Sequence, residues 1–257
     1  MNILISAGGT RERIDSVRGI TNTATGRLGS RIAACFDTIP ETERIFYICG
    51  ETAPRPSSAK AEITVIEDAA GLERAVRGLL QNHRVDVIIH SMAVSDYRLR
   101  TVTTPARIAD AAVTAAGDAA SLRASLIEAI DRVPSLGQDA KISSGENRLV
   151  MVLEPTPKII SLFHTLVPQA LLVGFKLLDN VPQKTLIDTA FNLLEQNHCA
   201  YVLANDARDI HGDTHIAYLV DRDRQVQRFG DKNEIARGIT ENVIKKLKAG
   251  NLVKGDP

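Results

Sequence analysis

A short apolar run that ends in two glycines and then gives way to a helix entrance constrains this chain more than any other feature. Ile3-Leu4-Ile5-Ser6-Ala7 reads as a buried strand, Gly8-Gly9-Thr10 as the turn that leaves it, and Thr21-Asn22-Thr23-Ala24-Thr25-Gly26 as the mouth of the following helix. Glycines carry no Cβ, so backbone N–H groups there can approach an anion, and a helix N-terminus favours negative charge. The segment predicts an anion cradle. A strand, a glycine pair and a helix do not by themselves choose among phosphate ligands.

Apolar runs of strand length recur at Ile3 to Ser6, Arg44 to Cys49, Glu62 to Ile66, Val85 to His90, Leu171 to Phe175 and Tyr201 to Ala204, with helical periodicity between most of them. This alternation predicts an α/β fold: a Rossmann-like parallel sheet with helices on both faces. Leu72, Val76, Leu79 and Leu80 share one helical face, as do Leu186, Thr189, Ala190, Leu193 and Leu194. From His215 to Phe229 the pattern changes to alternation, with Ile216, Tyr218 and Val220 on one face and a charged turn at Asp221 to Arg224, which predicts a hairpin at the sheet edge near the C-terminus. A helix is expected from about Lys232 to Lys248 and a frayed tail at 250–257. Residues 101–140 are alanine-rich, with a helical face of Leu122, Leu126, Ile127, Ile130 and Val133, and read as a helical insertion in a single domain spanning 1–249.

Lys plus Arg and Asp plus Glu are both 31, so the formal net charge is zero and no basic surplus points to nucleic acid or an anionic membrane. A hydrophobic content of 44% is enough for a substantial core. Cys35, Cys49 and Cys199 are odd in number, lack Cys-x-x-Cys spacing and lie in apolar runs, so reduced, mostly buried thiols and a cytoplasmic setting are expected. No apolar run reaches the roughly 18 residues of a membrane span, and no leader-like segment opens the chain. The expected partner is a small molecule.

Several polar residues fall where chemistry is expected, each with an ordinary alternative. Asn22 serves equally as the N-cap of the helix near Thr25 or as a neutral donor holding a reactive carbonyl or phosphoryl oxygen. Arg18 and Arg27 carry guanidinium forks suited to phosphate, or are solvated. Asp96 and Tyr97 follow a strand end, where open α/β sheets bind ligands; the aspartate there takes Mg²⁺, a ribose hydroxyl or a base amine, or merely starts a turn. Lys141 stands in a polar stretch with Ser143, Ser144 and Gly145 that has the composition of a mobile loop. Phe175 is a face for a base or a core residue, and Asn205 and Asp206 read as structural residues near a strand end.

Six blocks in order carry a sharper reading: the opening through Gly29, Ala93-Val94-Ser95-Asp96-Tyr97-Arg98, Lys141-Ile142-Ser143-Ser144, Pro155-Thr156-Pro157-Lys158-Ile159-Ile160, Val173-Gly174-Phe175-Lys176-Leu177 and Ala204-Asn205-Asp206. Over roughly residues 2 to 248 the chain resembles phosphopantothenate–cysteine ligase, the synthetase of coenzyme A biosynthesis. The resemblance implies a cytoplasmic ligase that activates 4′-phosphopantothenate as an acyl nucleotide and then joins it to L-cysteine. It gives catalytic roles to Asn22 and to Lys141, the latter on a flap over the reacting phosphate. It places Gly8, Gly9, Thr10, the backbone of His90, Ser91 and Met92, Asp96, Pro157, Lys158, Ile159, Ile160 and Phe175 at the nucleotide, and Arg18, Asn22 and Ala93 at the acyl substrate. It also implies Mg²⁺ without a dedicated set of protein ligands, CTP or ATP as co-substrate with CTP favoured, a homodimer that completes the site near Arg18, and a separate decarboxylase acting on the product. Ser144, Leu193 and Asn197 stand where members often have lysines, and Lys176 is gained beside Phe175, departures that bear on the choice of nucleotide.

The rival reading is a Rossmann-type NAD(P)-dependent oxidoreductase, because Gly8-Gly9-Thr10 after a first strand also suits a dinucleotide pyrophosphate. The residues oppose it. There is no Gly-x-Gly-x-x-Gly, and Tyr47, Tyr97, Tyr201 and Tyr218 are followed four positions later by Glu51, Thr101, Asn205 and Arg222 rather than by lysine. A non-enzymatic nucleotide sensor is a third reading, separated from the ligase by whether pyrophosphate is released when both substrates are present.

Overall fold

The computed structural model of the protein describes residues 1–115, 119–137, 141–145 and 147–253. In chain order the elements are β1 (Asn2–Ala7), β2 (Arg11–Arg13), β3 (Gly19–Thr21), α1 (Arg27–Asp37), β4 (Arg44–Gly50), β5 (Ala61–Ile66), α2 (Ala69–Asn82), β6 (Val87–His90), β7 (Tyr97–Thr103), α3 (Pro105–Ala115), α4 (Ala119–Arg132), β8 (Val150–Pro155), α5 (Ile159–Leu166), β9 (Leu171–Leu178), α6 (Gln183–Gln196), β10 (Tyr201–His211), β11 (Thr214–Asp221), β12 (Val226–Asp231) and α7 (Lys232–Val253).

Eight strands form one sheet in the order β12-β11-β10-β9-β6-β1-β4-β5. The six from β5 to β10 in that row are parallel, and β11 and β12 add an antiparallel edge, as the alternation had suggested. Strands covered on both faces need apolar residues at successive positions, and Ile3, Leu4 and Ile5 are all completely buried. Ile3, Ile5 and Ala7 pack with Ile32, Ala33 and Phe36 of α1 and Ile235, Ile239 and Val243 of α7. Leu4 packs on the opposite face with Leu72 and Val76 of α2, Ile159 and Phe163 of α5, and Leu186, Ala190 and Leu194 of α6. The sheet is therefore doubly wound and Rossmann-like.

The structure departs from the sequence reading in three places. The edge hairpin is covered on both faces: Tyr218 and Val220 join the α6 side, while Ala217 and Leu219 pack on the α7 side. The C-terminal helix continues through Val253, into the stretch expected to fray, and 254–257 lie outside the described residues.

The third departure is the segment 101–140, which is not wholly helical. Its first residues complete β7, which pairs antiparallel with β8 as a separate two-stranded ribbon, and only then do α3 and α4 follow. Leu122, Leu126 and Ile127 of α4 are exposed, as are Tyr97, Met151 and Leu153 on the ribbon.

Candidate active site

In the parallel sheet the chain moves outward from β1 to β4 and β5 on one side and, later, to β6, β9 and β10 on the other. The strand order reverses between β1 and β6, and a crevice opens at such a point beyond the carboxyl ends of the strands. The Gly8-Gly9 turn and the Ser91 to Ala93 turn meet there, with Gly9 bridged to Ala93 as a last parallel rung. Gly8 has a left-handed φ of 88°, which an L side chain rarely adopts.

Asn22 sits at the foot of the β2–β3 hairpin, against this rung. Its Nδ2 donates to the Ala93 carbonyl at 3.0 Å, and a Cβ on Gly9 would lie 3.0 Å from the Asn22 carbonyl oxygen, so the second glycine is what admits Asn22 to the crevice. The helix-cap role is excluded by geometry. The N-cap of α1 is Gly26, at φ 74°, with no side-chain capping hydrogen bond. Gly26 is tightly enclosed, since a Cβ would fall 2.7 Å from that of Ala53. The α1 entrance, with no side-chain cap, and the glycine turn therefore lie side by side, the arrangement that a helix N-terminus offers to an anion.

Thr10 is buried and works as a tie: its hydroxyl donates to Ser95 Oγ at 3.0 Å and accepts the Ser95 N–H at 2.9 Å. The neighbouring turn is similarly committed. Ser91 N–H and Oγ both donate to the Ser6 carbonyl, and Ala93 N–H donates to Gly8, so neither of these amides can read a base edge. Met92 is buried in the core on the α2 side. His90 is buried too, with Nδ1 2.7 Å from Ser6 Oγ and its ring edge-on to Phe163.

Burial pushes the His90 imidazole down from 6.5 to about 4. The folded protein therefore takes up this proton later than the unfolded chain as pH falls, and the stabilisation present near neutrality is lost from about pH 6.5 down to about 4. Buried His215, also at about 4, adds in the same direction. Urea midpoints should fall across that window, ahead of any loss from carboxylate protonation; a flat profile would contradict it.

Asp96 and Lys158 face each other across the crevice mouth as a largely exposed ion pair, Nζ to Oδ1 2.5 Å. The Thr156 N–H donates to the Asp96 carbonyl at 3.0 Å, fixing this loop to the entrance of α5, whose N-cap Lys158 makes no side-chain capping bond. Pro157 is exposed and Ile159 is core. Phe175 lies on the other face of the sheet from Ile159 and Ile160. Alternation along β9 sends it, with Val173, to the α1 and α7 side, whereas Ile159 and Ile160 belong to the α5 side, where Gly174 faces Ile160. Asp206, read as structural, accepts the N–H groups of Asn180, Val181 and Arg208, and Arg208 holds its carboxyl well below the usual range.

Lys141 is exposed and is rooted elsewhere on the hairpin. Its neighbour Ile142 is clamped at the tip, beside Asp15 and Arg18, while Asn22 is at the foot, past the far end of β3. The stretch expected to be a mobile loop is anchored at Ile142, which is 5% exposed. Arg18, expected at the substrate, turns its guanidinium to the buried carboxylate of Asp15. Asp15 itself was missed, although the Asp15-Ser16-Val17-Arg18 spacing is that of an Asx turn.

Among the described residues no three or more His, Cys, Asp or Glu side chains are grouped to hold a metal ion. Mg²⁺ fits here only in the way it usually accompanies a triphosphate, on phosphate oxygens with one carboxylate, and Asp96 is the carboxylate at the mouth. A cavity of about 880 Å³ lies at the opposite, amino-terminal edge of the sheet, beside Asn2, Asp86 and Leu171. Part of its charged lining is paired, Arg84 with Asp86 and Lys248 with Glu41, and it faces away from the glycine turn.

Fold and crevice define an α/β protein of the doubly wound class, with a glycine turn and a helix entrance at the switch point. The sequence matches the model of the DNA/pantothenate metabolism flavoprotein C-terminal domain over residues 1–108 and 129–247, and the chain belongs to that family. The unmatched stretch between them includes the end of α3 and the start of α4. A crystal structure of the DNA/pantothenate metabolism flavoprotein from Streptococcus pneumoniae is 34% identical, with a TM-score of 0.76, covering 97% of this chain and 99% of that one. The coenzyme A biosynthesis bifunctional protein CoaBC of Thermococcus kodakarensis is 28% identical over 95% of this chain and 51% of its own length. CoaBC of Escherichia coli strain K12 is 34% identical over 40% of this chain and 24% of its own. The chain thus spans about half the length, or less, of these curated relatives. A Cab2 mutant in complex with phosphopantothenate-cysteine shares the fold at 16% identity and a TM-score of 0.69. No helix among the described residues is long and apolar enough to cross a membrane.

Proposed function

We propose that this chain joins 4′-phosphopantothenate to L-cysteine, using a nucleoside triphosphate, with CTP preferred to ATP. The substrate carboxylate attacks the α-phosphorus, pyrophosphate leaves, and the cysteine amine then attacks the acyl carbon and expels the nucleoside monophosphate. A carboxylate is a poor electrophile, and the mixed anhydride supplies the leaving group. The observation that carries this reading is the Asn22 amide held over Gly9 and Ala93 at the strand-order switch, a neutral donor beside an anion cradle. The family match supports it.

In this reading Asn22 orients the acyl nucleotide, Gly8, Gly9 and the α1 entrance receive phosphate, and Asp96 with Lys158 gates the nucleotide end. Mg²⁺ neutralises triphosphate charge when bound. Lys141 meets charge on the transferring phosphoryl group. Decarboxylation of the product belongs to another catalytic unit. Colorimetric pyrophosphate release that requires phosphopantothenate, with a higher kcat/KM for CTP than for ATP, is the expected result; equal values would remove the nucleotide preference, and reduction of NAD(P) instead would remove the ligase.

We further propose a cytoplasmic homodimer. The exposed apolar side chains of Tyr97, Met151 and Leu153 on the ribbon and Leu122, Leu126 and Ile127 on α4 support it, as does the placement of Lys141 away from Asn22 in the same chain. Sedimentation at assay concentration should give twice the chain mass, 27.9 kDa. An active monomer would contradict this assembly.

A further inference from the structure

The hairpin tip contains an ion pair, a buried Asp15 with a half-exposed Arg18, that closes the tip itself and also bonds one distant peptide. Asp15, with no exposed side-chain surface, accepts the N–H of Val17 at 2.9 Å and of Arg18 at 2.7 Å, and the Arg18 guanidinium at 2.9 Å from Nε and 2.5 Å from Nη2. The same carboxylate accepts the N–H of Ile142 at 3.2 Å, and Arg18 Nη2 donates to the Ile142 carbonyl at 3.2 Å. Both backbone polar groups of Ile142 are therefore gripped by a pair that lies more than a hundred positions earlier in the chain. The Ile142 side chain fills a small separate core with Leu99 and Val102, against Ile14, Leu136 and Leu149. The residue before it is Lys141, exposed.

We propose that the Asp15–Arg18 pair is a latch that positions Lys141 through the Ile142 peptide, so that Asp15 and Arg18 act in ligation as positioning residues and Arg18 is not a substrate ligand. This rests on the reading that Lys141 serves the reaction. A long side chain delivers charge reliably only if its root is fixed, because small displacements of a catalytic group are costly. Ile142 is held by its N–H, its carbonyl and its side chain at once, while the lysine stem stays free to close. Asp15 suits the task because a carboxylate only accepts and every neighbour it faces donates; an amide in its place would set an N–H₂ against the guanidinium or the Ile142 N–H. The Arg18 guanidinium also holds the Asp15 carboxyl well below the usual range, so the latch stays charged at working pH.

A double-mutant cycle with Lys141 tests it. Asp15→Asn should lower kcat by about 10²-fold with little change in KM for phosphopantothenate in the otherwise native protein, and by no more than about threefold in the Lys141→Gln background. The accompanying shift in urea midpoint should be the same in both backgrounds, separating stability from positioning. If Asp15→Asn does not fold, Arg18→Lys carries the same cycle, since an ammonium ends one bond short of Nη2 and lacks the Nε donor that completes the fork on Asp15. Equal kcat losses in both backgrounds, no loss in either, or a rise in KM alone would overturn the latch. A Lys141→Gln protein with native turnover would overturn the lysine's role and the latch with it, whereas an impaired Lys141→Gln with additive losses would overturn the latch alone.

Discussion

Asn22→Asp should leave a folded protein whose amide-forming turnover is lower by about 10² to 10³, the loss expected for one preorganised donor. The side chain donates through Nδ2 to the Ala93 carbonyl, and its residue lies where a Cβ on Gly9 would intrude. A carboxylate of the same size sets oxygen against oxygen there and repels the anionic intermediate. Because Gly26 caps α1, no capping bond is lost, and because Ala93 O also accepts the Thr10 N–H at 3.1 Å, it keeps a partner. The stability cost should stay near 1 kcal/mol by urea denaturation. Activation depends less on this amide, so the variant should release pyrophosphate once per site and retain the acyl nucleotide, detectable by quench and mass spectrometry. Normal amide formation would return Asn22 to the role of a tether between hairpin and sheet.

Lys141→Gln should lower turnover by about 10² with a stability change within about 0.5 kcal/mol, because the ammonium is exposed and the anchoring is done by Ile142. The loss should fall on pyrophosphate formation rather than on the cysteine step, the reverse of Asn22→Asp. Rapid-quench measurement of the first turnover separates the two. A folded Lys141→Gln protein with native burst and steady-state rates would make Lys141 a solvated surface residue.

The main sheet was legible because its strands are buried on both faces and so read as unbroken apolar runs, as at Ile3 to Ile5 and Val87 to Ile89. β7 was not, since Tyr97-Arg98-Leu99-Arg100 places arginines among its apolar positions and pairs with a partner about fifty residues on. β2 and β3 have three residues each, too few for any periodicity. Asn22 could be found from its place after the glycine turn, but whether it caps or donates depended on Gly26 taking the cap, which only coordinates settle. The parity of β9 places Phe175 on the sheet face opposite Ile160, which alternation along the strand makes readable from sequence. Asp15 could not be weighed at all, because its worth lies in Ile142, 127 positions away.

Oxygen tracing tests the central claim most directly. Phosphopantothenate labelled with ¹⁸O in its carboxylate is incubated with the protein, L-cysteine, Mg²⁺ and CTP, and the products are weighed by mass spectrometry. The expected result is one labelled oxygen in cytidine monophosphate, the other in the phosphopantothenoylcysteine amide, and none in pyrophosphate. Label in inorganic phosphate, or nucleotide left unconsumed while the protein is folded, would contradict it.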